Sequence, residues 1–322
     1  MGQTHIRNLA AIPDAHVVAV ADPVAEAAEA GRALARAERA FTDPLEAITA
    51  EGVDAVVIVT PTSTHASLIE AAARAGKAIW SEKPIALELA ETARVVEVVR
   101  VTGVPVQLGF MRRFDPGYAA AKARIEAGEL GRIEQFRALS RDTYPPPVEF
   151  LYDAGGIFLD MTVHDLDLAR FLVGEVEEVY AWAEVLAEPR FAEAGDFDTA
   201  LAMLRFENGA MGVVETARHG PWGYDIRTEV AGAKGKVVIE DVQKTAATFS
   251  HDFGFHGDHF ENFPDRFADA FRLELEAFVA AIRAGQTPTP GPEDALETLR
   301  LAIACTRSRA ERRPVKLSEV AP

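Results

Sequence analysis

The chain has 322 residues, of which 48% are apolar, and its length suits two domains of ordinary size better than one large core. A formal net charge of −17 disfavours binding to nucleic acid or to an anionic membrane, since both partners would be negative, and favours a neutral small molecule as ligand. Cys305 is the only cysteine, which excludes an intrachain disulfide and indicates a reducing, cytoplasmic environment. We expect no membrane helix, because no apolar run reaches the required length of roughly 20 residues, and no secretion signal.

The first 110 residues alternate short β-branched runs with helical stretches rich in Ala, Glu and Arg. That alternation is typical of a Rossmann-type, doubly wound parallel α/β sheet. We predict strands over residues 15–21, 53–59, 78–80 and 104–109. The first two runs are almost continuously apolar, as strands covered by helices on both faces usually are.

The chain begins with a segment, residues 1–10, that has the pattern of a helix normally preceded by a strand. A dinucleotide-binding unit has a strand, a G-x-G-x-x-G turn and a helix, with an acid about 20 residues further on. Gly2 fits the last glycine and Asp22 the acid. We therefore interpret Met1 as an internal methionine. The true start would then lie about a dozen residues upstream, before an opening strand and two glycines. A true truncation and a degenerate, cofactor-free protein are the alternatives.

After residue 115 the pattern changes to that of an α+β domain with a large, open and mostly antiparallel sheet. A helix is predicted over residues 157–173, and turn signals such as Glu207-Asn208-Gly209 separate neighbouring strands at hairpin spacing. The strands are predicted over residues 133–141, 176–185, 199–206, 210–218, 226–231 and 236–240. Two terminal helices, 265–285 and 293–312, are expected to pack back on the first domain. The predicted domains are residues 1–114 and 115–322.

Two segments carry the residue types needed to oxidise an alcohol, which are a base and a cation or donor beside the hydroxyl. Lys83 follows a short strand, and Pro84 restricts it to extended conformations. Asp160 and His164 are four residues apart in a helical pattern and so project from one face. We interpret Lys83 as the donor, His164 as the base and Asp160 as its partner. The competing readings are a surface lysine paired with Glu82 and a packed helix histidine.

Several motifs, in the same order along the chain, resemble the Gfo/Idh/MocA oxidoreductase family. They are Gly2-Gln3-Thr4-His5, Ala21-Asp22-Pro23, Thr60-Pro61-Thr62-Ser63-Thr64-His65, Glu82-Lys83-Pro84, residues 109–115, and Gly155-Gly156 through His164-Asp165. Residues 109–115 and 223–226 are most similar to the inositol 2-dehydrogenase branch. The resemblance implies oxidation of a ring secondary alcohol of a cyclic polyol, first of all myo-inositol, with NAD.

The resemblance also implies the site. The catalytic set is Lys83, Asp160 and His164. The cofactor-binding residues are Gly2, Asp22, Thr60, Pro61, Glu82, Lys83 and Arg112. The substrate-binding residues are Lys83, Arg112, Tyr144, Asp160, His164 and Tyr224. His65 is left outside the catalytic set.

Further expectations concern the cofactor, metals and assembly. We expect NAD rather than NADP, because Pro23 stands where an arginine or lysine would bind the 2′-phosphate. No metal is expected, since the spacing of His251, His256 and His259 matches no standard ligand pattern. The resemblance implies a homo-oligomer, a dimer or a tetramer, formed through the open sheet, with the strand that ends near Glu215 and Arg218 buried against a partner subunit.

Three other functions remain open at this stage. One keeps the fold but acts on another sugar, or reduces a keto-sugar. A second is a non-catalytic sugar-binding or regulatory protein, which a genuine loss of the phosphate-binding turn would favour. A third is a hydrolase that uses NAD internally.

Overall fold

The structure, a computed structural model, describes residues 1–240 and 242–321. The strands are β1 (Ala19–Ala21), β2 (Arg39–Phe41), β3 (Ala55–Ile58), β4 (Ala78–Ser81), β5 (Val106–Leu108), β6 (Ile133–Arg141), β7 (Val176–Glu184), β8 (Thr199–Phe206), β9 (Met211–Ala217), β10 (Asp225–Gly232), β11 (Gly235–Ile239), β12 (Thr248–His251), β13 (Gly254–Gly257) and β14 (Val315–Lys316). The helices are α1 (Gly2–Ala11), α2 (Ala25–Ala35), α3 (Pro44–Thr49), α4 (Thr62–Arg74), α5 (Leu89–Thr102), α6 (Pro116–Glu126), α7 (Val148–Leu151), α8 (Val163–Val173), α9 (Arg190–Glu193), α10 (Phe263–Arg266), α11 (Ala268–Arg283) and α12 (Pro292–Glu311).

The chain divides into two compact units. The first comprises Met1–Phe114 and Asp269–Glu297, and the second Asp115–Ala268 and Thr298–Ala321. The first unit is therefore assembled from two stretches that are far apart in the sequence, and α11 belongs to it almost entirely. The second stretch of the first unit ends within α12.

The first unit has the predicted parallel α/β architecture. β1 pairs with β2, and β3, β4 and β5 form a three-stranded sheet, with every pair parallel. In the described part of the chain no strand joins β1 to β3, so the strands fall into two sheets. The opening strand remains a prediction.

One buried cluster of the first unit lies where α11 covers β4. Ile12, Ala78, Trp80, Leu275 and Phe278 form one buried cluster, and Trp80 and Leu275 are fully buried. Burying each large apolar side chain of this kind stabilises the fold by about 1.5–3 kcal/mol. This packing fixes β4, whose carboxyl end leads into the Lys83 segment.

The second unit is built on a seven-stranded sheet with the order β11-β10-β6-β9-β8-β7-β14. Only β6 and β9 are parallel neighbours, which confirms the prediction of a mostly antiparallel sheet. The hairpin between β8 and β9 turns at Gly209, which has a φ of 86°, while the Asn208 side chain accepts the Ala210 amide at 3.0 Å. Residues of β8 alternate between buried and exposed, so one face of the sheet is packed and the other is open.

Two further findings concern regions discussed in the sequence. His251 and His256 lie on the exposed β12–β13 hairpin with their rings stacked at 5.0 Å. No set of three or more potential metal ligands occurs among the described residues. None of the helices in residues 1–240 and 242–321 has the length and apolar character needed to cross a membrane.

Candidate active site

The Lys83 segment is held in place by a histidine of α4 in the same unit. The Lys83–Pro84 peptide is cis, and the Pro84 carbonyl lies 2.7 Å from Nδ1 of His65. Nε2 of the same ring lies 2.8 Å from the Thr60 carbonyl. Both partners are acceptors, so both contacts are hydrogen bonds only when the imidazole carries two protons. His65, which is buried, therefore joins the segment after β3 to the segment after β4.

Glu82, the neighbour of Lys83, is paired with a buried histidine of α1. Its Oε1 lies 2.9 Å from Nε2 of His5, and the His5 ring lies 4.6 Å from that of Trp80. Gly109 passes close by, because a Cβ there would lie 3.0 Å from the Trp80 ring and 3.1 Å from the Glu82 carboxylate. The first helix, β4 and the segment after β5 thus meet at Glu82.

A second carboxyl group, that of Glu274 on α11, is completely buried in this unit. Within the described residues neither of its carboxylate oxygens has a hydrogen-bond partner, although Nε2 of Gln107 donates to its backbone carbonyl at 2.9 Å. Burial and, secondarily, the charge of Glu82 raise the pKa of Glu274 well above its usual value. The sequence interpretation missed this residue, although its spacing from Phe271, Leu275 and Phe278 places it on the apolar stripe of the helix.

The residues predicted to bind the dinucleotide lie at the ends of strands and at the start of a helix. Asp22 ends the β1 segment and is half-buried, and its Oδ1 accepts the Val24 amide at 2.9 Å. α1 begins at Gly2 without a side-chain cap, so its amino end can accept an anionic group. A carboxylate at a strand end and an uncapped helix start fit the ribose and the pyrophosphate of a dinucleotide.

Three more residues of the first unit are predicted to contact the cofactor. Thr60 and Pro61 lie between β3 and α4, and the Thr60 hydroxyl accepts that of Thr64 at 2.7 Å. Arg112 is buried in a short 3-10 helix, whereas its neighbour Arg113 pairs with Asp294 at 3.0 Å.

Asp160 and His164 lie on consecutive helical segments of the second unit. Asp160 belongs to a π-helical segment, Phe158–Thr162, and His164 to the first turn of α8. Such π segments are rare in proteins overall, and those that occur are often found at functional sites. The Asp160 side chain is 23% exposed, and its Oδ2 accepts a hydrogen bond from Nη1 of Arg218 at 2.8 Å.

Arg218 was expected on a strand that faces a partner subunit, and for this residue the expectation is wrong. Its side chain is 1% exposed and lies inside the second unit, where it also contacts Asp196 at 3.3 Å. The reason is the alternation of the strand: Arg218 follows the buried Val214 and Thr216 at every second residue, so its side chain lies on the packed face of the sheet. A sequence pattern carries no signal for an ion pair between residues 58 positions apart.

The two predicted tyrosine contacts differ in their surroundings. Tyr144 is 77% exposed, whereas Tyr224 is buried edge-to-face against Phe267, with ring centroids 6.4 Å apart.

A parallel α/β unit with an acid at a strand end and an uncapped helix start, joined to an open-sheet unit, defines a nucleotide-dependent oxidoreductase of two domains. The chain belongs to the Gfo/Idh/MocA oxidoreductase family. Residues 1–110 match its NAD-binding Rossmann fold, and residues 122–317 match its C-terminal alpha/beta domain.

Relatives with stated activities extend over nearly the whole chain. The scyllo-inositol 2-dehydrogenase (NAD(+)) of Bacillus subtilis (strain 168) is 42% identical over 98% of this chain and 93% of its own length. The myo-inositol 2-dehydrogenase of Thermotoga maritima is 38% identical over 99% of this chain and 96% of its own length. The crystal structure of the scyllo-inositol dehydrogenase of Lactobacillus casei with bound NAD(H) and scyllo-inositol has a TM-score of 0.92, with 33% identity, and the match covers 98% of this chain and 96% of that one.

Proposed function

We propose that this protein is an NAD-dependent dehydrogenase that oxidises a ring secondary alcohol of inositol to the corresponding ketone. The observation that carries the proposal is full-length similarity to inositol dehydrogenases in a chain that carries Lys83, Asp160 and His164. Dehydrogenation of another polyol or sugar on the same fold is the alternative.

The first unit would hold the dinucleotide. Asp22 would accept hydrogen bonds from the adenosine ribose, and the amino end of α1 at Gly2 would face the pyrophosphate. Thr60, Pro61, Glu82 and Arg112 complete the proposed cofactor contacts. When bound, NAD supplies the acceptor for the hydride that leaves the carbinol carbon.

Lys83 is proposed to donate a hydrogen bond to the reacting oxygen. Its ammonium group favours the negative charge that develops on that oxygen as the hydroxyl proton leaves. His65 supports this role, because it holds the Pro84 carbonyl directly after Lys83. Glu82 on the other side is anchored by His5.

His164 is proposed as the general base that takes the hydroxyl proton, and Asp160 as a substrate contact that orients the reacting group. The C–H bond breaks with its electron pair, the O–H bond breaks with its proton going to His164, and a carbonyl forms. Arg112, Tyr144 and Tyr224 are proposed to contact the remaining hydroxyls of the substrate.

We also propose that the protein is a homo-oligomer formed through the open face of the second unit's sheet. The large apolar side chains exposed on its strands include Trp182, Leu201, Met203 and Met211. Apolar surface concentrated in this way commonly marks a protein interface.

A reducing, cytoplasmic location is proposed from the lone Cys305, whose burial raises the pKa of its thiol to about 12 and keeps it unreactive.

The test is formation of NADH with myo-inositol, scyllo-inositol and a panel of other polyols and sugars, each with NAD and with NADP. The Lys83→Met and His164→Gln variants should lose turnover, whereas Lys236→Met, on an exposed strand, should not. Turnover of another sugar alone would replace the substrate. Substrate binding without turnover under any condition would point to a non-catalytic protein, and release of a sugar from a glycoside without net NADH would point to a hydrolase.

A further inference from the structure

A buried arginine in the second unit holds two carboxylates. Arg218 is 1% exposed, and its Nη1 lies 2.8 Å from Oδ2 of Asp160 while its Nη2 lies 3.3 Å from Oδ2 of Asp196. Asp196 is also buried, with 4% of its side chain exposed. Leaving a buried charge without its partner costs several kcal/mol, so these three side chains constrain one another.

Asp196 also determines where the π-helical segment begins. Its Oδ1 accepts the amide of Ile157 at 2.9 Å, which satisfies a backbone donor that would otherwise be orphaned at the helix start. Gly156, just before it, has a φ of 91°, and its carbonyl accepts the Asp160 amide at 3.0 Å. The same carboxylate therefore fixes the start of the segment that carries Asp160 and the arginine that contacts the Asp160 side chain.

The backbone of Arg218 is anchored as well. Its amide donates to the carbonyl of Asp198 at 2.8 Å, and the Asp198 carboxylate accepts the amides of Leu186, Ala187 and Glu188. These backbone hydrogen bonds lower the pKa of Asp198 against an opposing effect of burial. The guanidinium of Arg218 thus projects from a fixed point.

The geometry requires arginine specifically. A planar guanidinium donates in fixed directions from two separate nitrogens, whereas the three N–H donors of a lysine ammonium all leave from one nitrogen and have no fixed plane. Arg218 also lies over the ring of Phe191, with 5.9 Å between the guanidinium carbon and the ring centroid.

We propose that Arg218 is a positioning residue that fixes the orientation of the Asp160 carboxylate for the reaction, with Asp196 as its anchor. This proposal rests on the proposed function, in which Asp160 contacts the substrate. No group that reacts is assigned to Arg218 or to Asp196; both act through Asp160.

The test is a double-mutant cycle with Arg218→Lys, Asp160→Asn and their combination, using Arg124→Lys as the control. Arg124 is an exposed arginine of α6 that pairs with Glu129. Arg218→Lys keeps the charge but places all the donors on one nitrogen, so it cannot hold both carboxylates where the guanidinium holds them. We expect kcat to fall by about 100-fold, the loss that a misplacement of about 1 Å can cause. The KM for NAD should not change. In the Asp160→Asn background, Arg218→Lys should have almost no further effect.

Asp196→Asn provides a second variant if Arg218→Lys does not fold. It keeps an oxygen that can accept the Ile157 amide but removes the charge that faces Arg218, so kcat should fall while the helix start is preserved. Additive losses of kcat in the cycle would overturn the proposal. An unchanged kcat in both Arg218→Lys and Asp196→Asn would overturn it as well.

Crystal structures of the wild type and of Arg218→Lys or Asp196→Asn give a readout that does not depend on turnover. We expect the Asp160 carboxylate to rotate away from its wild-type position, and an unmoved carboxylate would refute the positioning role. If the wild type oxidises no polyol or sugar, the proposed function fails, while the position of Asp160 in these structures still decides the role of Arg218.

Discussion

Replacing Glu274 by glutamine should change how the stability of the protein depends on pH. The carboxyl group is fully buried on α11, and burial followed by the charge of Glu82 raises its pKa well above the ordinary value of 4.5. The unfolded chain releases this proton near pH 4.5, whereas the folded chain retains it to higher pH. Over that interval the unfolded state binds fewer protons, so the free energy of unfolding falls as the pH rises.

The size of the effect is bounded by proton linkage. Between the unfolded and the folded pKa of this group, the wild type loses about 1.36 kcal/mol of unfolding free energy for each pH unit. Glutamine resembles the neutral acid and does not titrate, so Glu274→Gln should lack this loss. The difference in unfolding free energy between variant and wild type should therefore shift in favour of the variant as the pH rises.

The measurement is urea-induced unfolding of both proteins at several pH values between 4.5 and 8. An amide in the core adds a contribution that does not vary with pH, so the slope of the difference with pH is diagnostic and its absolute value is not. Glu276→Gln changes a half-exposed glutamate of the same helix that pairs with Arg272, and it is the matched control for the substitution itself. Parallel curves for wild type and Glu274→Gln would refute the reasoning.

Three further outcomes are expected. Lys83→Met should lower kcat/KM for inositol by about 100-fold or more, because a preorganised donor to the reacting oxygen is lost, and Lys236→Met should leave it unchanged in the same NADH assay. Asp22→Ala should raise the KM for NAD by about 10-fold or more and that for NADP much less, since the carboxylate serves the ribose hydroxyls; equal changes would contradict that role. His65→Leu should destabilise the fold by about 1–3 kcal/mol in thermal unfolding, because the Pro84 carbonyl loses the ring nitrogen that it contacts, and should also lower kcat. An unaffected kcat would show that His65 does not support Lys83.

Local patterns predicted much of the second unit. The bounds predicted for β8, residues 199–206, agree with the structure, because side chains alternate along the strand and an Asn-Gly turn follows it. β2 was missed, since Arg39-Ala40-Phe41 has no apolar run of its own and forms a strand only by pairing with β1. The predicted helix from residue 157 is present, but its first part is π-helical, a difference that hydrophobic spacing does not reveal.

The same contrast holds for the candidate site: continuous motifs could be recognised in the sequence, and long-range contacts could not. Lys83, Asp160 and His164 were found because their motifs are continuous in the sequence, and their roles remain predictions. Arg218, Asp196 and His65 derive their importance from contacts with residues elsewhere in the chain, which spacing cannot show. His65 is the exception in part, because its place one turn into the helix after Thr60 was visible.

The packing of α11 over β4 has a consequence for the protein during its synthesis on the ribosome. Trp80 packs against Leu275 and Phe278, and Gln107 bonds to the backbone of Glu274, across 167 residues of chain. At a translation rate of about 5–20 residues per second, the ribosome needs about 10–40 s after making Trp80 to synthesise the residues of α11 that pack against it. During that time the nascent first unit displays an apolar strand surface, which makes it a natural client for chaperones that bind emerging chains.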